Sequence, residues 1–391
     1  RLIVTARVAA YRSTRLDDRF RVVTVRDLDE GQRGRMVRAI YGGLALADAD
    51  RRADDLVKRF QESEALRELG RTPVMVWTAA VIHALRGELP EGRAALYDAY
   101  VDILLKQSFK RTRYDTAAVD ELAGGQEWPL PDRRHYLTYA AFQVHQLLEA
   151  HPERRAGRRV ILGEDELADR VLAGYFRENL GYDQRQARQR ARQFLTLMTE
   201  RSGLLYESSQ GYSIGDHLTM QEFLAGCYLG EHYALEDPDG YRAFLQEKVG
   251  RSWWREVFLL GAGYLAERPG FAARKFLQQV AEQGREPAER LAALALAARG
   301  LLQLRGRQRR PTWYGGLARR LANGLYQHLY AEPIGAIAGL RQDAGLALGQ
   351  LYGLPGEEGG LEDPRFAGPC GLPDFVAIEA GPCWMGEDDG P

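Results

Sequence analysis

Gly203-Leu204-Leu205-Tyr206 and Gly211-Tyr212-Ser213-Ile214, followed by Gly215-Asp216-His217-Leu218-Thr219-Met220-Gln221-Glu222-Phe223-Leu224-Ala225, decide the reading of this 391-residue chain. The first two are short β-like segments around a polar turn. The third opens a helix in which Leu218, Phe223, Leu224, Cys227 and Tyr228 can pack. Helical patterns precede the pair at Glu164 to Leu180 and Asp183 to Arg201. His217, at the start of a helix, is placed to donate to an anion, helped by the first backbone N–H groups and the helix dipole. A capping or core histidine is the plainer reading of a lone His.

Helices, a hairpin and a further helix in that order are the reading order of a winged helix, which we bound with its helical connection at residues 91–235. Upstream, residues 29–90 read as a helical domain: Met36, Val37, Ile40 and Leu44, then Leu56, Phe60, Leu66 and Leu69, recur at spacings of three and four. Gly70-Arg71-Thr72-Pro73 interrupts that pattern, and Pro73 stands at the first turn of a predicted helix, where proline is tolerated. Its ring could lie flat against a base, although an ordinary helix-start proline needs no ligand. After Leu89-Pro90, the stretch Ala94 to Phe109 is predicted to be strongly amphipathic. Residues 1–28 hold two β-like runs, Leu2 to Thr5 and Arg21 to Val25, read as the last strands of an α/β sheet. Ligands of such sheets sit at the carboxyl ends of strands, so Arg7 would face a phosphate bound there; a solvated arginine is the simpler alternative. Downstream, residues 236–352 read as a helical array without a strict period, residues 353–373 as a Gly- and Pro-rich linker, and residues 374–391 as the start of another domain.

Composition excludes several classes. Hydrophobic residues make up 45% and charged residues 27%, the balance of a folded globular protein. No apolar run reaches membrane-spanning length and no signal-peptide layout opens the chain, which sets the expectation of a cytoplasmic protein. A net charge of −1 does not point to nucleic acid. Cys227, Cys370 and Cys383 form no CxxC pair, so neither a disulfide framework nor a metal site is expected. Arginine far outnumbers lysine, which occurs only at positions 58, 106, 110, 248 and 275 and reads as composition bias. The chain starts at Arg1 on the apolar run Leu2-Ile3-Val4 and stops at Pro391 within a strand-and-turn pattern, so a piece of a longer protein is expected.

Taken in order, a strand ending in Arg7, a helical unit with Thr72-Pro73, and a winged helix whose last helix opens His217-Leu218-Thr219-Met220-Gln221-Glu222-Phe223-Leu224-Ala225 resemble the NACHT-type NTPases of the STAND class over about residues 1–235. Leu89-Pro90 and Ala94-Ala95-Leu96-Tyr97 add to the resemblance. It implies a mainly α chain that carries the end of an α/β P-loop NTPase core, then helical and winged-helix domains. It also implies that Arg7 senses the terminal phosphate, Pro73 stacks on adenine and His217 hydrogen-bonds the β-phosphate of ADP. The cofactor of the intact protein would be ATP or ADP with Mg²⁺. Met220 stands where an aromatic is common and Gly226 where alanine is usual. No GxxxxGK[ST] occurs in the chain, so this piece is expected neither to hydrolyse ATP nor to hold it tightly. The class further implies a homo-oligomer on activation by an unknown protein or small-molecule ligand and, by family analogy, a role in bacterial defence or stress signalling. Asp374-Phe375-Val376-Ala377-Ile378 through Cys383-Trp384-Met385-Gly386 resembles the opening of a formylglycine-generating-enzyme domain, a C-type-lectin-like fold. The alternative reading follows from it: an enzymatic or lectin-like C-terminal domain carried on a helical scaffold.

Overall fold

The structure is a computed structural model that describes residues 27–44, 48–62, 66–67, 70–90, 92–107, 128–151, 154, 161–202, 204–208, 211–215, 218–268, 271–304, 311–331 and 338–352. The expected strands of residues 1–25, the linker and the tail lie outside the described residues. The chain divides into two units, Arg1–Ala80 and Val81–Pro391.

In the first unit α1 (Glu30–Gly43) and α2 (Ala49–Glu62) pack on each other. Asp29 caps α1 through a reciprocal pair: its carboxylate accepts from the Gln32 N–H while the Gln32 side chain accepts from the Asp29 N–H. The face of α1 that is buried carries Arg33, Gly34, Val37 and Tyr41. The expected register included Leu44, which is exposed; Tyr41 takes the inward position, its hydroxyl reaching the Ala80 carbonyl and its pKa raised by burial to about 12. On α2, Ala53, Leu56 and Phe60 face inward. Next, α3 (Pro73–Arg86) begins at the predicted proline.

In the second unit α4 (Arg93–Gln107) departs from the expected amphipathic helix. Ala94, Ala95, Leu96, Tyr97, Ala99, Tyr100, Val101, Ile103 and Leu105 are all buried, which covers most of its circumference. Its polar row, Asp98 and Asp102, meets Arg134 of α5 (Leu130–Ala150) instead of water. The helix-turn-helix follows. A π-helical stretch, Asp165–Leu172, runs into α6 (Ala173–Leu180), which stops at Gly181 in the left-handed region, φ +69°. Asp183 then caps α7 (Gln184–Arg201), again with a reciprocal partner, Gln186. Strands β1 (Leu205–Ser208) and β2 (Gly211–Ile214) pair antiparallel with Leu205 opposite Ile214. Leu162 adds a third short edge by exchanging both backbone hydrogen bonds with Tyr212 at 2.8 Å. Gly211 makes this possible, because a Cβ there would stand 2.0 Å from the Leu162 oxygen and its φ is +129°.

Helix α8 (Leu218–Tyr228) is the centre of the unit, packed on α5 and on α10 (Arg255–Leu265). Every residue of α8 except Thr219 is buried. Where α8 crosses α10 the backbones touch: a Cβ on Gly226 would lie 2.6 Å from the Val257 oxygen and 2.8 Å from the Gly261 nitrogen. Gly226, which stands where alanine is usual, is therefore required by this crossing. The chain continues through a π-helical turn, Leu229–Tyr233, a single α-turn, Ala234–Glu236, and α9 (Pro238–Lys248). Beyond α10, α11 (Ala272–Ala281), α12 (Pro287–Leu302), α13 (Tyr314–Ala331) and α14 (Ala338–Tyr352) pack with α12 in contact with each of the other three.

Candidate functional site

Of the three residues singled out in sequence, Arg7 and His217 lie outside the described residues, and Pro73 is described as the exposed first residue of α3. The segment leading to it is shaped by close packing. Arg33, although charged, is buried; its guanidinium donates to the Arg67 carbonyl at 3.2 Å and lies 5.5 Å from the centre of the Phe60 ring. Gly70 covers this pair, since a Cβ would come 2.7 Å from Arg33 Cδ and 2.8 Å from Phe60 Cε1. Leu28 donates its N–H to the Arg71 carbonyl, and the first helical bond of α3 runs from Val76 N to Thr72 O. One turn further on, Trp77 is also exposed, at 39%, so Pro73 and Trp77 present an apolar surface at the start of α3.

The loop between β2 and α8 begins with Gly215, buried and left-handed at φ +73°, whose N–H donates to the Leu204 carbonyl at 2.7 Å. This ties the end of the hairpin to its start. His217 is the residue before the first residue of α8. Within α8, Gln221 is buried and its Nε2 has no hydrogen-bond acceptor among the described residues. Met220, which replaces the aromatic expected at that position, is buried.

The far end of α8 enters a charged cluster. Arg134 pairs with Asp98 and, at 2.8 Å, with Asp102; Arg268 reaches Asp98 at 3.4 Å and Glu231 at 4.0 Å. The Tyr264 hydroxyl donates to Glu231, and Arg268 lies 4.0 Å from the centre of the Tyr264 ring. Through these pairs α4, α5, the π-turn and α10 are held together by charge as well as by apolar contact. Cys227 lies fully buried beside the cluster, and burial pushes its thiol well up, so it is an inert packing residue. Glu231 of that cluster also lies 3.9 Å from His232, and His135 of α5, His232 of the π-turn and Glu236 have possible ligand atoms that all lie within 4.8 Å of one another. Burial, then the neighbouring His232, pushes the His135 imidazole below its ordinary value. Sequence reading missed this group because 96 residues of chain lie between His135 and His232 and only the fold brings them together.

On the α7 side, basic residues are engaged by their own domain. Arg188 and Arg192 pair with Asp169 at 3.7 and 3.6 Å, Arg192 also reaches Glu164 at 3.0 Å, and Arg190 stacks at 4.7 Å over Tyr182. Among the described residues no helix is long and apolar enough to cross a membrane.

Comparison with known proteins gives one family. Residues 93–229 match the winged helix-turn-helix domain C-terminal to NACHT, a span that begins at the first residue of α4 and ends at the first residue of the π-turn. No curated protein matches the chain. A helix-turn-helix, a bridged two-strand wing and the matched sequence together make residues 93–229 a winged-helix domain of the kind that follows NACHT, and so part of a NACHT NTPase module.

Proposed function

We propose that the chain is the nucleotide-reading and locking part of a STAND-class signalling ATPase. The observation that carries this is the burial of α8: the helix that opens directly after His217 is packed on α5 and backbone to backbone on α10, so a displacement at its first residue would be passed to the helices packed against it. In the intact protein Pro73 would stack on adenine, for which its exposure beside Trp77 is suited. Arg7 would read the terminal phosphate and His217 would donate to the β-phosphate of ADP, holding the closed state. ATP or ADP with Mg²⁺ would supply the phosphate whose presence or absence distinguishes the two states; this chain itself carries no GxxxxGK[ST] to grip it.

One hydrogen bond to a charged phosphate is worth about 1.5–3 kcal/mol, or about one to two decades in the closed–open equilibrium. An activating ligand of the C-terminal region, protein or small molecule, would favour the open state, nucleotide exchange and self-assembly, with defence or stress signalling as the output. Replacing His217 by Ala in the intact protein should lower the ADP that co-purifies and raise basal activity. Unchanged ADP content would sink the reading. A second reading rests on the tail: Asp374 to Gly386 is similar to the start of a formylglycine-generating-enzyme domain, which would place enzymatic or lectin-like recognition after the array. Sequence beyond Pro391 tests it by the presence of that family's reactive cysteines.

A further inference from the structure

We propose that His135, His232 and Glu236 bind one divalent transition-metal ion of the zinc type, which fastens α5 of the winged-helix domain to the chain that leaves it. The three donors come from two separate places: His135 from the first turns of α5, and His232 and Glu236 from the π-turn and the α-turn after α8. Their ligand atoms lie within 4.8 Å of one another, and His135 Nε2 is already 3.4 Å from Glu236 Oε1. Donors at about 2.0–2.1 Å from a tetrahedral zinc are themselves about 3.3–3.4 Å apart, so small side-chain rotations complete the set. The imidazole rings of His135 and His232 stand edge to face with centroids 4.5 Å apart.

The surroundings fit a bound cation. Tyr228 donates its hydroxyl to Glu236 Oε2 at 2.6 Å and so orients the carboxylate with Oε1 turned toward His135, the supporting contact that metal-binding carboxylates use. Asp132 and Glu231 add negative charge close to His135. The Tyr175 hydroxyl sits 2.6 Å from His135 Nε2, so metal binding exchanges that hydrogen bond for a coordinate bond. All three side chains keep partial exposure, 18% for His135, 32% for His232 and 28% for Glu236, so an ion enters from solvent and water can complete its shell. Two imidazoles and one carboxylate select zinc and its first-row neighbours over Mg²⁺, which prefers an all-oxygen shell.

The test uses the untagged chain stripped with EDTA, titrated with ZnCl₂ by isothermal calorimetry and followed by thermal unfolding. We expect one zinc per chain, a Tm that rises with zinc, and no competition from Mg²⁺. His232→Ala and Glu236→Gln should each weaken zinc binding by about tenfold or more while melting like the parent in EDTA. If His232→Ala melts early, His232→Asn serves in its place. A parent chain that takes up no zinc, or variants that bind it as the parent does, overturns the proposal.

Discussion

Gly226 shows how a single missing methyl group sets the distance between two helices. With hydrogen as its side chain, α8 meets α10 at backbone contact, and Gly261 reciprocates, its own Cβ position lying 2.8 Å from the Gly226 oxygen. Gly226→Ala should destabilise the chain by about 1–3 kcal/mol, because neither backbone can give way, and urea denaturation reads this directly; a variant as stable as the parent would show that the helices can part. In sequence Gly226 showed only as a departure from the usual alanine, since nothing in a single chain reveals what lies across a helix crossing. The same limit hid Tyr41 and the group around His135. Pro73, by contrast, was legible, because its position at a first helical turn follows from the local chemistry of the proline ring. Arg7 and His217 remain readings of the sequence.

Among the elements, α5 is held by ionic and polar contacts at both ends. At its C-terminal end the Glu149 carboxylate accepts from the Trp254 indole at 2.9 Å and pairs with Lys248 at 2.7 Å and Arg251 at 3.1 Å, joining α5 to the end of α9 and the turn after it. Burial alone would raise the Glu149 pKa; hydrogen bonds from Lys248 and Trp254 outweigh it and leave the carboxyl below its ordinary value. A depressed carboxyl pKa adds stability that is fully present above the unfolded value, about 4.3, and is lost as pH falls through the folded value. Glu149→Gln should therefore cost about 1–3 kcal/mol at pH 7 and flatten the acid limb of the stability curve, as followed by denaturation at pH 7 and below pH 4. A cost that persists unchanged at low pH would contradict this origin. Helix order and the hairpin were legible from periodicity and turn chemistry. The inward polar row of α4 was not, because Asp98 and Asp102 at helical spacing read as a solvent face until Arg134 is placed against them.

For the second unit as a whole, burial is concentrated on α8, with α5 and α10 on either side. Its amides can exchange only when the surrounding helices open, so deuterium uptake over residues 218–228 should be among the slowest in the chain and slower than over α13, whose Gly315, Gly316, Arg319, Arg320, Asn323 and Tyr326 are exposed. Uptake over 218–228 as fast as over 314–331 would remove the central role given to α8. The π-turn that follows has a further consequence, one of numbering. A π-turn is an α-helix with one residue too many, and each residue of an α-helix advances the chain by about 100°. The wide turn takes up that residue locally, so Glu236 still reaches His135 and Glu231 still reaches Tyr264 although the chain carries one residue more than an α-helical path would hold. Leu229–Tyr233 therefore works as slack in the winding: it fits an extra residue into the path and spares the contacts on either side from a misalignment of about 100°.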